Sequence, residues 1–141
     1  MKILLAVDGS PYTKKMLAYL CAHDELISAG RNSFTALTVM PSMPPRARAV
    51  LSKEMVDEYY REEGAKVLAP VRKYLEQNCI FPKEQLEVGP PGEVIARIAE
   101  EDKYDLIIMG THGHGALGRL VMGSVSTQVL ANCGVPVMLI R

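Results

Sequence analysis

The sequence predicts a single α/β domain built on one open parallel five-stranded sheet with helices on both faces. Five short apolar segments alternate with four segments of helical periodicity along the 141 residues. Such alternation is typical of a parallel sheet whose strands are joined by crossover helices. The length suits one domain with a full hydrophobic core. No internal repeat or linker divides the chain, so we expect residues 1–141 to form one unit.

The first part of the chain supplies two strands and a helix. A continuous apolar run at residues 3–7 has the composition of a strand buried on both faces. Ser10 and Pro11 then provide an N-cap and a first helical residue, and this helix is expected to reach about Ala29. The second strand is predicted at residues 33–39.

The middle of the chain is dominated by one long helix. The three prolines within residues 40–49 predict a mobile loop. Apolar residues at helical spacing then predict a helix over residues 49–78, with a kink or break at Gly64 and Pro70. A short third strand is predicted at residues 85–88.

In the last third of the chain, short helices and strands alternate. We expect a helix at residues 93–102, a strand at 105–109, a helix at 123–132 and a last strand from Val135 to Ile140. Because crossovers between parallel strands are right-handed, few topologies remain, and we favour the strand order 3-2-1-4-5.

A glycine-rich stretch at residues 110–126, GTHGHGALGRLVMGSVS, joins the fourth strand to the last helix and holds five of the eleven glycines. Glycine lets backbone N–H groups approach a ligand without an intervening Cβ. A helix N-terminus adds unpaired N–H groups and partial positive charge, and Ser124, Ser126 and Thr127 add hydroxyl groups. The stretch predicts a phosphate-binding loop, and the alternative is a long turn.

A carboxylate is expected beside this stretch. Asp8 follows the first strand and Gly110 follows the fourth. In the favoured order these strands are neighbours whose connections leave toward opposite faces, so a crevice opens at their carboxyl ends. The two features therefore predict one nucleotide site, although Asp8 and Gly9 could instead form only a turn before Ser10.

The glycines follow the spacing G-x2-G-x9-G-S, formed by Gly110, Gly113, Gly123 and Ser124. This pattern resembles the ATP-binding branch of the universal stress protein family. The terminal segments KILLAVDGS and GVPVMLIR are similar to that family's first and last strands. The resemblance covers nearly the whole chain and implies the 3-2-1-4-5 order, an adenine-nucleotide alpha-hydrolase-like fold and ATP as ligand. We expect Mg²⁺ or Mn²⁺ to bridge its phosphates.

The predicted binding residues divide by role. Asp8 is an acceptor suited to ribose or adenine groups, and Val39 offers backbone hydrogen bonds and apolar contact to adenine. Gly110 and Gly113 allow close approach of ribose and phosphates, while the start of the last helix supplies N–H groups and hydroxyls. The resemblance implies the same roles. The full set is Asp8, Val39, Met109, Gly110, His112, Gly113, Gly123, Ser124, Val125 and Ser126.

Several of these residues have a second interpretation. Ser124 suits a helix cap as well as a phosphate site, and Val39 belongs to a core strand in either case. His112 and His114 are a weak metal signal without a third ligand, and their alternative is a solvated loop. Arg119 either reaches the phosphates or is an exposed charge. We predict no protein-bound metal and no catalytic residue.

Composition narrows the function classes. The 16 basic and 16 acidic residues cancel, which argues against nucleic-acid binding because that needs a basic surface. No apolar run reaches the roughly 18 residues of a membrane span. The three cysteines are scattered without metal-ligand spacing, so we expect reduced thiols and a cytoplasmic protein.

We favour an ATP-binding regulatory protein of the universal stress type. The alternatives are an ATP-hydrolysing or adenylyl-transferring enzyme of the same fold, or an interaction module without nucleotide. A P-loop enzyme is disfavoured because no lysine follows the glycines. Residues 110–126 contain neither lysine nor carboxylate, so we expect at most slow ATP hydrolysis.

The last strand, from Val135 to Ile140, lies at an edge in the favoured order. It is apolar on both faces, and only Pro136 blunts it. A bare apolar edge aggregates unless it is covered or paired, so we expect a two-fold homodimer through this strand. The resemblance points the same way, and the alternative is a small core covered by the chain's end.

Overall fold

The computed structural model describes residues 1–23, 25, 31–115 and 122–141. One five-stranded parallel sheet forms its centre, with strands in the order β3-β2-β1-β4-β5. The predicted fold class and strand order are therefore confirmed. The strands are β1 (Lys2–Ala6), β2 (Ser33–Met40), β3 (Lys83–Val88), β4 (Leu106–Gly110) and β5 (Val137–Ile140).

Helices cover both faces of the sheet in the described part of the chain. The long helix crosses beside the β2–β3 edge, while the last two helices pack against each other on the opposite face. The helices are α1 (Pro11–Ala22), α2 (Pro45–Ala49), α3 (Lys53–Gln77), α4 (Pro91–Glu101) and α5 (Ser124–Asn132).

The core lies in two layers separated by the sheet. Alternate residues of β1 point to opposite faces, so Leu5 packs with α1 and α3 while Leu4 packs with α4 and α5. Both leucines are fully buried. Because β1 is buried on both faces, its sequence is a continuous apolar run and does not alternate between apolar and polar residues.

Several predicted elements differ from the structure in their bounds or in their type. The first helix ends at Ala22 with His23 as its C-cap, and residues 24 and 26–29 of the predicted extension to Ala29 lie outside the described residues. The predicted mobile loop contains α2, whose first helical residue, Pro45, has the φ angle a helix needs. The last strand begins at Val137 rather than Val135.

The long helix also differs from its prediction. It begins at Lys53, where the Ser52 side chain accepts a hydrogen bond from the Met55 N–H, and it runs through Gly64 and Pro70 without a break. Buried residues on both sides of the proline, Leu68, Val71 and Leu75, hold the two halves against the sheet. Tertiary packing therefore compensates for the loss of the helical hydrogen bond that proline cannot make.

Gly64 has a packing role within that helix. A Cβ at this position would lie 2.7 Å from Leu86 Cδ2, so glycine permits close contact between α3 and β3. No helix in the described ranges has the length and apolar character required to cross a membrane.

Candidate functional site

A cavity of about 400 Å³ opens at the carboxyl ends of the central strands. Its volume falls in the range usual for small-molecule sites. All ten residues of the predicted set line it, together with further residues from β1, β2 and α4. The fold thus brings Asp8 and the glycine-rich stretch together, and their contact with a nucleotide stays a prediction.

One end of the cavity is apolar. Leu37 and Val39 contribute from β2, Met109 from β4 and Ile95 from α4, and Pro41 lines the same end just after β2. Leu37, Ile95 and Met109 are buried core residues whose packing fixes this surface. The face of a flat aromatic group such as a purine base would be desolvated there at little cost, since no charged side chain of the described residues lines this end.

The opposite end is formed by the N-terminus of α5. Gly123 is the N-cap and provides no capping side chain, so the N–H groups of Ser124, Val125 and Ser126 have no intrahelical acceptor. All three residues line the cavity. Unpaired N–H groups and the helix dipole make this end suited to an anion.

The start of α5 is fastened to the end of β4. The carbonyl oxygen of Thr111 accepts hydrogen bonds from the Gly123 N–H at 2.7 Å and from Ser126 Oγ at 2.9 Å. The Ser126 hydroxyl is also 3.0 Å from the Gly123 carbonyl and is buried. Its proton is therefore donated within the protein, which leaves the Ser126 backbone N–H as its donor toward a ligand.

Asp8 lies between these two ends because β1 lies between β2 and β4. Its Oδ1 accepts hydrogen bonds from the Ser10 N–H and the Thr13 hydroxyl, both at 2.9 Å. Ser10 in turn caps α1 through its side chain. The carboxylate is therefore tied to the first turn of α1, as an acceptor at the centre of the cavity wall.

The glycines of the stretch have roles that the sequence did not indicate. A Cβ on Gly110 would lie 2.6 Å from Tyr12 Cβ, and one on Gly113 would lie 2.6 Å from Asp8 Oδ2. A Cβ on Gly123 would lie 3.1 Å from the Thr111 carbonyl oxygen. Each missing Cβ thus points at the protein, so these glycines permit tight packing around the cavity.

Both histidines of the stretch line the cavity and contact its frame. His114 Nε2 donates to the Asp8 carbonyl oxygen at 2.7 Å. His112 Nδ1 lies 3.0 Å from Thr111 Oγ1, and its ring centroid lies 4.9 Å from that of Tyr12. The described residues include no group of three or more metal-binding side chains. Arg119 lies outside the described residues.

Sequence reasoning missed two residues that shape this site. Thr13 holds Asp8 through its hydroxyl, and Thr111 holds the start of α5 through its carbonyl oxygen. The sequence contained a signal for Thr13, because this residue follows the Ser10 cap by three positions and so lies one helical turn away. Thr111 acts through its backbone, and no residue type marks that role.

A model of the universal stress protein family matches residues 1–141. Universal stress protein MJ0531 of Methanocaldococcus jannaschii is 29% identical over 140 residues, which cover 99% of this chain and 81% of that protein. A universal stress protein of Thermus aquaticus is 32% identical over 144 residues, which cover 99% of this chain and 97% of that one.

Solved structures share the fold. Protein MJ0577 of M. jannaschii superimposes with a TM-score of 0.83 at 27% identity, over 99% of this chain and 94% of that chain. The universal stress protein of Archaeoglobus fulgidus in complex with dAMP gives 0.66 at 19% identity, over 100% and 98%. A family protein of Arabidopsis thaliana with AMP bound gives 0.69 at 17% identity, over 99% and 90%.

Proposed function

Because this chain belongs to the universal stress protein family, we propose that it binds an adenine nucleotide in the cavity at the carboxyl ends of the strands. The observation that carries the proposal is the chemical division of that cavity. One end is apolar, the other presents the N–H groups of a helix N-terminus, and a fixed carboxylate lies between them. A nucleotide has the same three parts in the same order.

From this division we propose a place for each part of the ligand. The base would lie against Leu37, Val39 and Pro41, and the ribose would lie beside Asp8. The phosphates would lie at the N–H groups of residues 124–126. Structures of family proteins with AMP and with dAMP support the choice of an adenine nucleotide.

We further propose ATP as the form that binds, accompanied by Mg²⁺ or Mn²⁺. Asp8 is the one carboxylate among the described residues that line the cavity, and one of its oxygens is already hydrogen-bonded twice. A divalent ion would therefore rely on the phosphate oxygens for most of its ligands. It would supply charge neutralisation for those phosphates.

ATP would act mainly as a bound regulatory ligand. Rapid phosphoryl transfer needs positive charge at the transferring group and a residue that orients the attacking nucleophile. The described cavity lining includes no lysine or arginine. We therefore expect single-turnover hydrolysis of labelled ATP far below about 1 per second, and a rate in that range would reveal an overlooked catalytic group.

The proposed assembly is a homodimer through β5. β5 pairs on one side with β4 and has no strand neighbour on the other side within the described sheet. Its sequence, VMLI, has no charge, whereas the opposite edge strand, KEQLEV, carries three charged residues. Charges on an edge strand prevent pairing, so β5 is the edge suited to a two-fold partner.

We also place the protein in the cytoplasm, with reduced cysteines.

The deciding experiment identifies the ligand directly. Freshly purified protein is denatured, and the released small molecules are separated and identified by mass spectrometry. Calorimetry with ATP, ADP and AMP, each with and without Mg²⁺, then ranks the nucleotides. We expect adenine nucleotides to be released or to bind. Stripped, folded protein that binds none of them would instead favour an interaction module without nucleotide.

A variant pair tests the location of the site. Val39→Glu places a charge at the apolar end and is expected to weaken ATP binding at least tenfold, because a buried unpaired charge is costly. Val88→Glu is the matched control, since Val88 lies on β3 with 40% exposure and does not line the cavity. Equal affinity in the two folded variants would place the nucleotide elsewhere.

A further inference from the structure

We propose that Thr13 is a positioning residue for nucleotide binding, because its hydroxyl turns the Asp8 carboxylate so that Oδ2 is presented to the ribose. The inference rests on the proposed function and extends it to a residue in α1. The two carboxylate oxygens of Asp8 differ in their hydrogen bonding.

Oδ1 of Asp8 is fully engaged within the protein. It accepts the Thr13 hydroxyl and the Ser10 N–H, both at 2.9 Å. Thr13 Oγ1 also accepts the Asp8 backbone N–H at 3.1 Å. Thr13 therefore holds both the backbone and the side chain of Asp8, and two donors on one oxygen fix the rotation of the carboxylate.

Oδ2 has the opposite environment. It accepts no hydrogen bond from the described residues, and it lies on the side of Gly113, which lines the same cavity. Every buried side-chain nitrogen or oxygen atom of the described residues has a partner. Oδ2 has no such partner among these residues, so it is not one of the buried atoms, and Asp8 lines the cavity. A carboxylate oxygen in this position accepts a hydrogen bond from a hydroxyl or amino group of a ligand.

The position of Asp8 selects the ribose as that ligand group. Asp8 follows β1, which lies between the apolar end at β2 and the anion-binding end after β4. The ribose occupies the corresponding middle of a nucleotide, and its hydroxyl groups are donors. Thr13 also lines the cavity, but it is only 4% exposed and its hydroxyl proton is donated to Asp8 Oδ1, so its effect on the ribose would pass through Asp8.

The experiment compares ATP with 2′,3′-dideoxy-ATP, which lacks both ribose hydroxyls, by calorimetry. We expect wild-type protein to bind ATP about tenfold more tightly, as for a hydrogen bond to a charged acceptor. Thr13→Val keeps the side-chain shape and loses the hydroxyl, and it should bring the ratio close to one. Thr13→Ser keeps the hydroxyl and should retain the ratio within about threefold.

Two further variants separate positioning from a general effect on the fold. Thr38→Val makes the same change at a buried threonine that does not line the cavity, and it should leave the ratio unchanged. In an Asp8→Ala background, Thr13→Val should cause no further loss, because effects through one group are not additive. A wild-type ratio in Thr13→Val, or an equal loss in the Asp8→Ala background, would overturn the inference.

A measurement without ligand distinguishes failure of this inference from failure of the proposed function. NMR coupling constants report the χ1 angle of Asp8, which should occupy one rotamer in wild-type and Thr13→Ser protein and several in Thr13→Val. A single rotamer in Thr13→Val refutes the positioning role even if ATP binds. Wild-type protein that shows no affinity for ATP refutes the proposed function and the ribose contact with it.

Discussion

A substitution at Gly110 can decide whether glycine is needed there for close approach of a ligand or for packing within the protein. If glycine is required there for close approach of a ligand, alanine should impair binding and leave stability unchanged. In the structure, however, the added Cβ would lie 2.6 Å from Tyr12 Cβ and 3.2 Å from the Tyr12 carbonyl carbon. We therefore predict that Gly110→Ala destabilises the protein in the absence of any nucleotide.

The size of the effect follows from the contact. Carbon atoms pack best at about 3.5–4.0 Å, so β4 and the start of α1 must separate by about 1 Å. Both contacting carbons belong to Cβ or backbone, so a rotamer change does not relieve the clash. Overpacking of this kind costs about 1–3 kcal/mol, which lowers the melting temperature of a domain of this size by about 3–12 °C.

Gly115→Ala is the matched control, because no atom lies within 4 Å of its added Cβ. Thermal unfolding of both nucleotide-free variants by circular dichroism gives the comparison. We expect wild-type or slightly higher stability for Gly115→Ala and a lower melting temperature for Gly110→Ala. Equal melting temperatures in the two variants would refute the packing explanation and return Gly110 to a role in ligand approach.

Three further predictions test other parts of the molecule. Gly113→Ala should weaken ATP binding, measured by calorimetry, because its Cβ would meet Asp8 Oδ2 at 2.6 Å and displace the carboxylate; unchanged affinity would contradict the close contact. Val137→Lys on the β5 edge should give a monomer by light scattering while Val88→Lys on the β3 edge remains a dimer, and a monomeric wild type would exclude the β5 interface. Leu4→Ala should lower the free energy of unfolding by about 2–5 kcal/mol in urea denaturation, since Leu4 is 0% exposed, and a loss below about 1 kcal/mol would contradict its place in the core.

The fold was predictable because its main signals are local in the sequence. Continuous apolar runs such as residues 3–7 identify strands buried on both faces, and alternation with helices then restricts the topology. The ends of elements were less predictable, since they depend on contacts between distant segments. Pro70 illustrates this: its sequence context indicates a break, but burial of Val71 and Leu75 against the sheet keeps the helix continuous.

The candidate site was predictable in its location and less so in its internal roles. The strand order alone places Asp8 beside the glycine-rich stretch, whatever their distance along the chain. By contrast, the atoms that a Cβ added to a glycine would contact depend on which element packs beside it. Tyr12 packs against Gly110 because α1 lies against β4, and no residue type near Gly110 indicates this contact.

The anion-binding groups at the start of α5 do not depend on the side chains found there. The groups that Ser124, Val125 and Ser126 present to the cavity are backbone N–H groups, which every residue except proline possesses. Replacement of the exposed Ser124 side chain by alanine would leave these donors in place. Alanine at Ser124 or Val125 would therefore have little effect on these donors, whereas Ser126→Ala would also remove the buried hydroxyl that holds α5 to Thr111. Relatives with different residues at positions 124 and 125 could retain the same anion-binding surface.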